Sequence, residues 1–228
     1  MNYLQFVFIF LFLPAVIIFF KFPFDSIKGR GLIIHSVIAL IYTVPWDSYL
    51  IYSKIWYYDI NLITDTFLLI PIGEYFFITL QTAIICSVIS PKKFDYEEVS
   101  FKFSFIGILL ALILFITGII LFQFAKAKYL ALILMWASFP LGVQYSFGAN
   151  ILLFNISIIT KYLLIFIIYF SFIDTIALDR IWFISESTSL GLKIANLPIE
   201  EIVFFCFTSL FLIQGMCLWF KLKFNENI

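Results

Sequence analysis

Acidic side chains within apolar stretches are the residues of this sequence that point most directly to chemistry. There are five of them: Asp47, Glu74, Asp174, Glu200 and Glu201. An acidic group at membrane depth is expensive, and it is usually retained because it has a function. In a dry pocket a protonated carboxyl is a general acid, whereas an ionised carboxyl is a base or an anion that stabilises a cation. We therefore expect carboxylate chemistry and assign the catalytic roles to these five residues.

The two adjacent glutamates are the strongest candidates for a proton donor. Glu200 and Glu201 follow Pro198 directly after one isoleucine, in an apolar run. A like-charged neighbour and an apolar wall both favour the neutral form of a carboxyl, which is the form that donates a proton. The alternative is structural, because proline suits the first helical turn and the helix dipole attracts a carboxylate there. The same alternative applies to Glu74, which follows Pro71 by three residues.

Asp47 and Asp174 complete the acidic set. Each lies close to the predicted C-terminal end of an apolar span. The negative end of the helix dipole opposes an acidic side chain at this position, which favours a functional role. The alternative is an aspartate that faces the lipid headgroups.

Aromatic and basic side chains near these acids are the candidate contacts for a substrate. The set comprises Trp46, Trp56, Phe77, Arg180, Trp182 and Phe204. The faces of aromatic rings can stabilise positive charge by cation–π contact. Arg180 either pairs with the acids or only extends its side chain to the membrane interface.

The composition excludes most soluble proteins. Of the 228 residues, 64% are hydrophobic and 12% are charged, and the mean hydropathy is +1.10. These values are typical of a polytopic membrane protein. The 14 basic and 14 acidic residues balance each other, so we expect no basic surface for nucleic acid.

No cofactor and no metal are expected. The three cysteines lie in apolar runs without CxxC spacing, and the chain has one histidine, His35. These residues support neither a disulfide framework nor a metal centre. The glycine-rich patterns that bind dinucleotides or nucleoside triphosphates are absent from the sequence.

Apolar runs long enough to cross a bilayer predict seven helices. They cover residues 3–20, 31–51, 68–90, 103–125, 129–146, 150–173 and 199–220. The first run has no basic region before it and no cleavage site after it, so we interpret it as a retained span. The fourth and fifth runs are separated only by residues 126–128, which predicts a tight antiparallel hairpin. The predicted fold class is all-α integral membrane.

The two halves of the chain resemble each other at matched offsets. A Tyr-to-Pro spacing of 11 residues occurs twice (14 − 3 and 140 − 129), as does an Asp-to-Pro spacing of 24 (71 − 47 and 198 − 174). We predict two parallel three-helix repeats, 1–100 and 127–228, joined by a linker helix in 101–126. Four spans separate equivalent helices, so both repeats have the same orientation. We expect the acids of both repeats to face one cavity.

The order and spacing of these motifs resemble a known family. Asp174, the Arg-Ile-Trp stretch ending at Trp182, and the Pro-Ile-Glu-Glu stretch ending at Glu201 are similar to motifs of the cofactor-free integral-membrane lycopene cyclases. The Pro-Trp-Asp that ends at Asp47 matches the first half of that family. Its members occur as paired small subunits in some bacteria and as fused chains in other bacteria, archaea and fungi, and the matched pattern covers nearly this whole chain.

One position departs from the family pattern. The first repeat has Gly73 where the second has Glu200, so that Glu74 has no acidic neighbour. The difference indicates that Glu74 binds or orients the substrate rather than protonating it.

The resemblance implies an isomerase that cyclises the end groups of lycopene or a related linear carotenoid in carotenoid biosynthesis. Protonation of the terminal double bond gives a tertiary cation, the neighbouring alkene attacks it, and loss of a proton completes the ring, which is expected to be a β-ring. No redox cofactor is needed. The implied setting is the cytoplasmic membrane of a bacterium or archaeon, with membrane lipid and other enzymes of the pathway as partners.

Two other functions fit part of the pattern. An intramembrane polyprenyl transferase also has acidic loops after its second and sixth helices, but Mg²⁺-diphosphate binding needs several closely spaced aspartates. A small transporter with a carboxylate-lined cavity would also have a parallel repeat, together with Gly or Pro interruptions within its spans. Pro14 and Pro140 are one matched pair of such interruptions.

Overall fold

The computed structural model describes residues 1–22, 24–96 and 100–226, with side chains described up to residue 223. Within these ranges the chain forms seven helices of 17 residues or more. They are α1 Tyr3–Lys21, α2 Ser26–Tyr52, α3 Ile72–Val88, α4 Phe105–Phe122, α5 Lys128–Phe154, α6 Ile156–Ala177 and α7 Ile199–Glu226.

The predicted fold class is confirmed. Six of these helices are long and apolar enough to cross a bilayer, and α3 is a shorter apolar helix of 17 residues. The chain is therefore an all-α, multi-pass membrane protein. Residues 68–71, which we expected to be helical, instead form a turn and a short strand before α3.

The break between the fifth and sixth helices lies later than predicted. Residues 147–149 belong to α5, which ends at Phe154. Gly148 packs tightly within this helix, because a Cβ atom there would lie 2.3 Å from Cδ2 of Leu218. The glycine therefore serves helix packing and does not end the helix.

Short strands occupy the two long connections. β1 (Trp56–Tyr58) pairs with β4 (Trp182–Ile184) in antiparallel fashion. Two hairpins, β2 (Thr66–Phe67) with β3 (Ile70–Pro71) and β5 (Lys193–Ile194) with β6 (Leu197–Pro198), each lead directly into a helix. Each helix begins immediately after the proline of its hairpin, which has no N–H to contribute to a helix.

Both hairpins use a two-residue turn in the left-handed region. Leu68 and Leu69 have φ of 50° and 70°, and Ala195 and Asn196 have φ of 50° and 69°. Positive φ at both central residues defines a type I′ turn, which matches the twist of the strands. The same uncommon conformation thus precedes the acid-bearing helix of each half.

The order of elements recurs at a nearly constant offset. β1 begins 126 residues before β4 (182 − 56), β2 begins 127 before β5 (193 − 66), and α3 begins 127 before α7 (199 − 72). These offsets support the two repeats inferred from the sequence. The repeat boundaries at 100 and 127 stay a prediction.

The chain divides into two compact units that do not follow the linear halves. Unit 1 is Met1–Val88 with Phe172–Glu186, and unit 2 is Ile89–Ser171 with Ser187–Ile228. Unit 1 therefore contains β4 and the end of α6, which come from the second half of the sequence. Asp174 belongs to the same unit as Asp47 and Glu74.

The α4–α5 hairpin of unit 2 is packed through small residues. A Cβ atom on Gly107 would lie 2.2 Å from the backbone nitrogen of Ser146, and one on Gly118 would lie 2.9 Å from the carbonyl oxygen of Ala131. Small residues allow membrane helices to approach at backbone distance. A 3₁₀ turn at Ala125–Ala127 joins the two helices, which confirms the predicted tight hairpin.

Candidate active site

Glu74 is the centre of the acidic site in unit 1. It lies in the first turn of α3, and its Oε2 atom accepts hydrogen bonds from the hydroxyls of Tyr3 and Tyr58, the latter at 2.9 Å. Tyr3 begins α1 and is 1% exposed, and its backbone N–H donates to the carbonyl of Leu62. Helix α1 and strand β1 thus bring two phenolic donors to one carboxyl oxygen.

Gly73 explains how Tyr3 reaches this carboxyl. A Cβ atom on Gly73 would lie 2.7 Å from Cδ1 and 2.8 Å from Cγ of the Tyr3 ring. The Tyr3 ring therefore occupies the space that any side chain at position 73 would need. The difference between Gly73 and Glu200 in the two repeats has a packing reason in unit 1.

Trp182 lies between this cluster and a second acid. Its ring contacts those of Tyr3, Phe6 and Phe77, with centroid separations of 5.2, 5.3 and 6.4 Å. Its indole Nε1 donates to Oδ1 of Asp174 at 3.1 Å. The aromatic ring thus connects the environments of Glu74 and Asp174.

The third acid of unit 1, Asp47, is also inside the protein. It lies near the end of α2 and is 1% exposed, as is Asp174 in α6. Its carboxylate is close enough to the Tyr3 hydroxyl to interact with it electrostatically. Nearby in sequence, Trp46 packs edge to face against Trp56, with ring centroids 5.8 Å apart. Such burial does not fit aspartates that face the headgroups.

Unit 2 contains a similar tyrosine–glutamate pair. Glu201 lies in the first turn of α7, is 3% exposed, and accepts a hydrogen bond of 2.6 Å at Oε1 from the hydroxyl of Tyr129. The two pairs correspond in sequence, because Tyr3 and Tyr129 are 126 residues apart and Glu74 and Glu201 are 127 apart. Phe204 is buried one turn along α7, with its ring 5.8 Å from that of Trp136.

Glu200 has different partners from Glu201. It is fully buried, and its Oε1 accepts a hydrogen bond of 2.7 Å from the backbone N–H of Leu190. Within the described part of the chain, its Oε2 has no hydrogen-bond partner. Glu200 therefore anchors the loop before β5 to the start of α7 through one oxygen.

Arg180 is the last of the predicted substrate contacts. Arg180 is exposed. Pairing of Arg180 with the acids and convergence of all five acids on one cavity stay predictions. Over the described residues, no three His, Cys, Asp or Glu side chains are grouped as a metal site requires.

The tyrosines of the site were not among the predicted site residues. Tyr3 and Tyr129 are far in the sequence from the glutamates that they contact. Tyr58 is nearer, 16 residues from Glu74. The signal for two of them was present in the repeat, which places Tyr3 and Tyr129 at equivalent positions before a proline. When a hydrogen-bonding residue occurs at the same position of both repeats in an apolar helix, it is a candidate site residue.

Comparison with known proteins gives related sequences over most of the chain. A lycopene beta-cyclase of Halobacterium salinarum is 28% identical over 199 residues, which cover 86% of this chain and 84% of that protein. Bifunctional lycopene cyclase/phytoene synthases of Gibberella fujikuroi and Sporisorium reilianum are 32% and 28% identical over 78% and 89% of this chain. This chain spans about a third of those fungal proteins, 33% and 32% respectively.

No protein-family model matches the chain. No solved structure matches it either. The archaeal relative aligns over most of both chains and carries the name that the motifs indicated. The resemblance is thereby confirmed, and the chain is a homologue of the lycopene cyclases and an enzyme of that kind.

Proposed function

We propose that this protein closes β-rings on lycopene or a related linear carotenoid by acid catalysis, as a multi-pass enzyme of a bacterial or archaeal cytoplasmic membrane. The observation that carries the proposal is the recurrence of a tyrosine–glutamate pair at the start of α3 and of α7. In both places the glutamate lies beside aromatic rings. The lycopene cyclase relatives supply the substrate class.

Glu201 is the proposed proton donor. Glu201 is 3% exposed and is adjacent in sequence to the fully buried Glu200. A second acidic group nearby and the absence of water both favour a carboxyl that keeps its proton. Tyr129 donates to Oε1, so the transferable proton belongs on Oε2. From there it would pass to the terminal double bond of the substrate and leave a tertiary cation.

The aromatic rings of unit 1, taken by themselves, suit the stabilisation of a carbocation. The ring centroids of Trp182 and Tyr3 lie 5.2 Å apart, and the two side chains donate hydrogen bonds to Asp174 and Glu74 respectively. An indole face attracts a cation within about 6 Å of its centroid, more strongly where water is excluded. The carboxylates add their negative charge. The arrangement supports a cationic intermediate without a redox partner.

Gly73→Ala tests whether the Tyr3–Glu74 pair contributes to catalysis. The new Cβ would overlap the Tyr3 ring, so the ring must move and its hydroxyl must leave Glu74. We expect the rate of cyclisation to fall about tenfold or more, because small displacements of catalytic groups strongly reduce rates. The matched control is Gly29→Ala, whose nearest neighbour is the movable Phe24 ring at 3.2 Å. Equal rates in the two variants would contradict the role of the pair.

Cyclisation in membranes without added cofactor tests the reaction type. Membranes that contain this chain should convert lycopene to cyclic carotenes, measured by chromatography and mass spectrometry, after removal of flavin and nicotinamide. In deuterated water each new ring should gain one deuterium, because the donated proton exchanges with solvent. Membranes from the same host without the chain serve as the control. Dependence on a redox cofactor, or rings without deuterium, would contradict acid catalysis.

A further inference from the structure

The carboxyl groups of the two tyrosine–glutamate pairs have different hydrogen-bond donors. Glu74 accepts from two hydroxyls, those of Tyr3 and Tyr58, on the same oxygen. The position that corresponds to Tyr58 in the second repeat is Ile184, since 58 + 126 = 184. A hydrophobic residue there can donate no hydrogen bond. The Tyr58 hydroxyl therefore has no counterpart at the equivalent position of the second repeat.

Burial favours the neutral form of the Glu74 carboxyl, and the two hydroxyl donors on one oxygen act against it by stabilising the ionised form. Hydrogen bonds to an anionic acceptor are stronger than those between neutral groups, and donors aimed at the charged form stabilise it. An ionised carboxylate is a proton acceptor, not a proton donor. Glu74 is thus suited to the last step of cyclisation, in which the ring loses a proton.

Strand pairing fixes the position of the second donor. Tyr58 lies opposite Trp182 in the β1–β4 ladder. The ladder is extended by a hydrogen bond from the backbone N–H of Asp59 to the carbonyl of Ile181, at 3.0 Å. The Tyr58 ring also stacks on that of Tyr3, with centroids 5.9 Å apart. Both hydroxyls that bind Glu74 are therefore held by well-packed parts of unit 1.

We infer that Tyr58 is a positioning residue that holds Glu74 as the acceptor of the ring proton and so determines where the ring double bond forms. This inference rests on the proposed cyclase function. The cyclised cation can lose a proton from the ring carbon that bears the polyene chain, from the ring carbon on the other side of the cationic centre, or from the methyl group on that centre, which gives a β-, ε- or γ-ring respectively. In each case the C–H electron pair becomes the new π bond and the proton passes to the Glu74 carboxylate.

The three protons compete for one base. No electrons enter or leave in any of these outcomes, so all three are open to the same cation, and the position of the base selects among them. A displacement of about 1 Å is enough to change which group a catalytic residue reaches. Loss of one of the two hydroxyls would leave the Glu74 carboxylate oxygen free to move by such an amount.

Tyr58→Phe tests this role with little change in packing. It removes the hydroxyl and keeps the ring that stacks on Tyr3. We expect the share of ε- and γ-rings to rise at least fivefold over the unsubstituted protein, measured by chromatography and NMR of the products. Total turnover should fall less than about tenfold, since a reactive cation loses its proton readily. Glu74→Gln, which removes the base itself, should give a similar mixture.

Tyr57→Phe is the matched control. Tyr57 is the preceding residue on β1, is exposed, and stacks on Phe183 with centroids 5.2 Å apart. Its product composition should equal that of the unsubstituted protein. An unchanged ring composition in either Tyr58→Phe or Glu74→Gln would overturn the inference, as would a folded but inactive Tyr58→Phe protein. If the unsubstituted protein forms no ring at all, the proposed function itself fails.

Discussion

Glu201→Gln should reduce the rate of lycopene cyclisation by about 10²-fold or more, within the range for loss of a general acid. The amide preserves the shape of the side chain and an oxygen that can accept the hydrogen bond from Tyr129. It has no acidic proton to transfer to the alkene. Because the fold around α7 is preserved, membrane insertion and expression should be unchanged. The measurement is the initial rate of ring formation per amount of folded protein.

Two further variants sharpen this test. Glu186→Gln makes the same chemical change at an exposed loop position and should have no effect. Glu200→Gln retains an acceptor for the N–H of Leu190 and should reduce the rate less than Glu201→Gln. If both Glu200→Gln and Glu201→Gln keep near-normal turnover while Asp47→Asn abolishes it, the proton donor lies in the first repeat and the assigned roles are reversed.

The helices could be predicted from sequence because their signal is local. Long apolar runs and lysine-containing breaks indicate spans, and the predicted runs correspond to the seven helices with shifted ends. Contacts that hydropathy does not register accompany some of the shifted ends. Helix α2 begins at Ser26, before the predicted start; Asp25 caps it by accepting the backbone N–H of Lys28, and the buried Lys28 also donates through Nζ to the carbonyl of Ser87. Local hydropathy does not predict such a long-range contact.

The hairpins before the acid-bearing helices had a weaker signal. A type I′ turn is usually recognised by Asn-Gly or a similar pair, because these residues tolerate positive φ. Leu68 and Leu69 adopt this conformation without such a preference, whereas Asn196 in the other hairpin is a residue that tolerates it. Ser48 supports the first turn by donating to the carbonyl of Leu68 at 2.8 Å. Tertiary contacts therefore outweigh local propensity in this turn.

The candidate acids could be selected from the sequence, but their surroundings could not be predicted from it. Asp47 and Asp174 stood out because an acid near a helix C-terminus is unusual, and the spacing of the repeat related them to Glu74. The hydrogen bonds from Tyr3 and from Trp182 depend on how distant elements pack. In particular, unit 1 takes Phe172–Glu186 from the second half of the chain. An analysis that treats the two halves of the sequence as separate units does not predict that this segment belongs to unit 1.

Asp174→Asn should reduce the rate of cyclisation by about 10²-fold, the effect typical of removing a preorganised electrostatic group from an active site. Asp174 is 1% exposed, and its Oδ1 accepts the indole N–H of Trp182. A negative charge at the edge of the indole increases the attraction of its face for a cation. The amide can still accept this hydrogen bond, so Trp182 should keep its orientation while the charge is lost.

Asp179→Asn is the appropriate control for this change. Asp179 is exposed and has a φ of 60°, a conformation that asparagine also tolerates. The Asp179→Asn protein should cyclise lycopene at the normal rate. We expect Asp174→Asn to lower kcat with little change in KM, because the charge acts on the cationic transition state more than on the neutral substrate. Normal activity in Asp174→Asn combined with loss in Trp182→Phe would show that the indole ring alone stabilises the cation, and would remove Asp174 from the catalytic set.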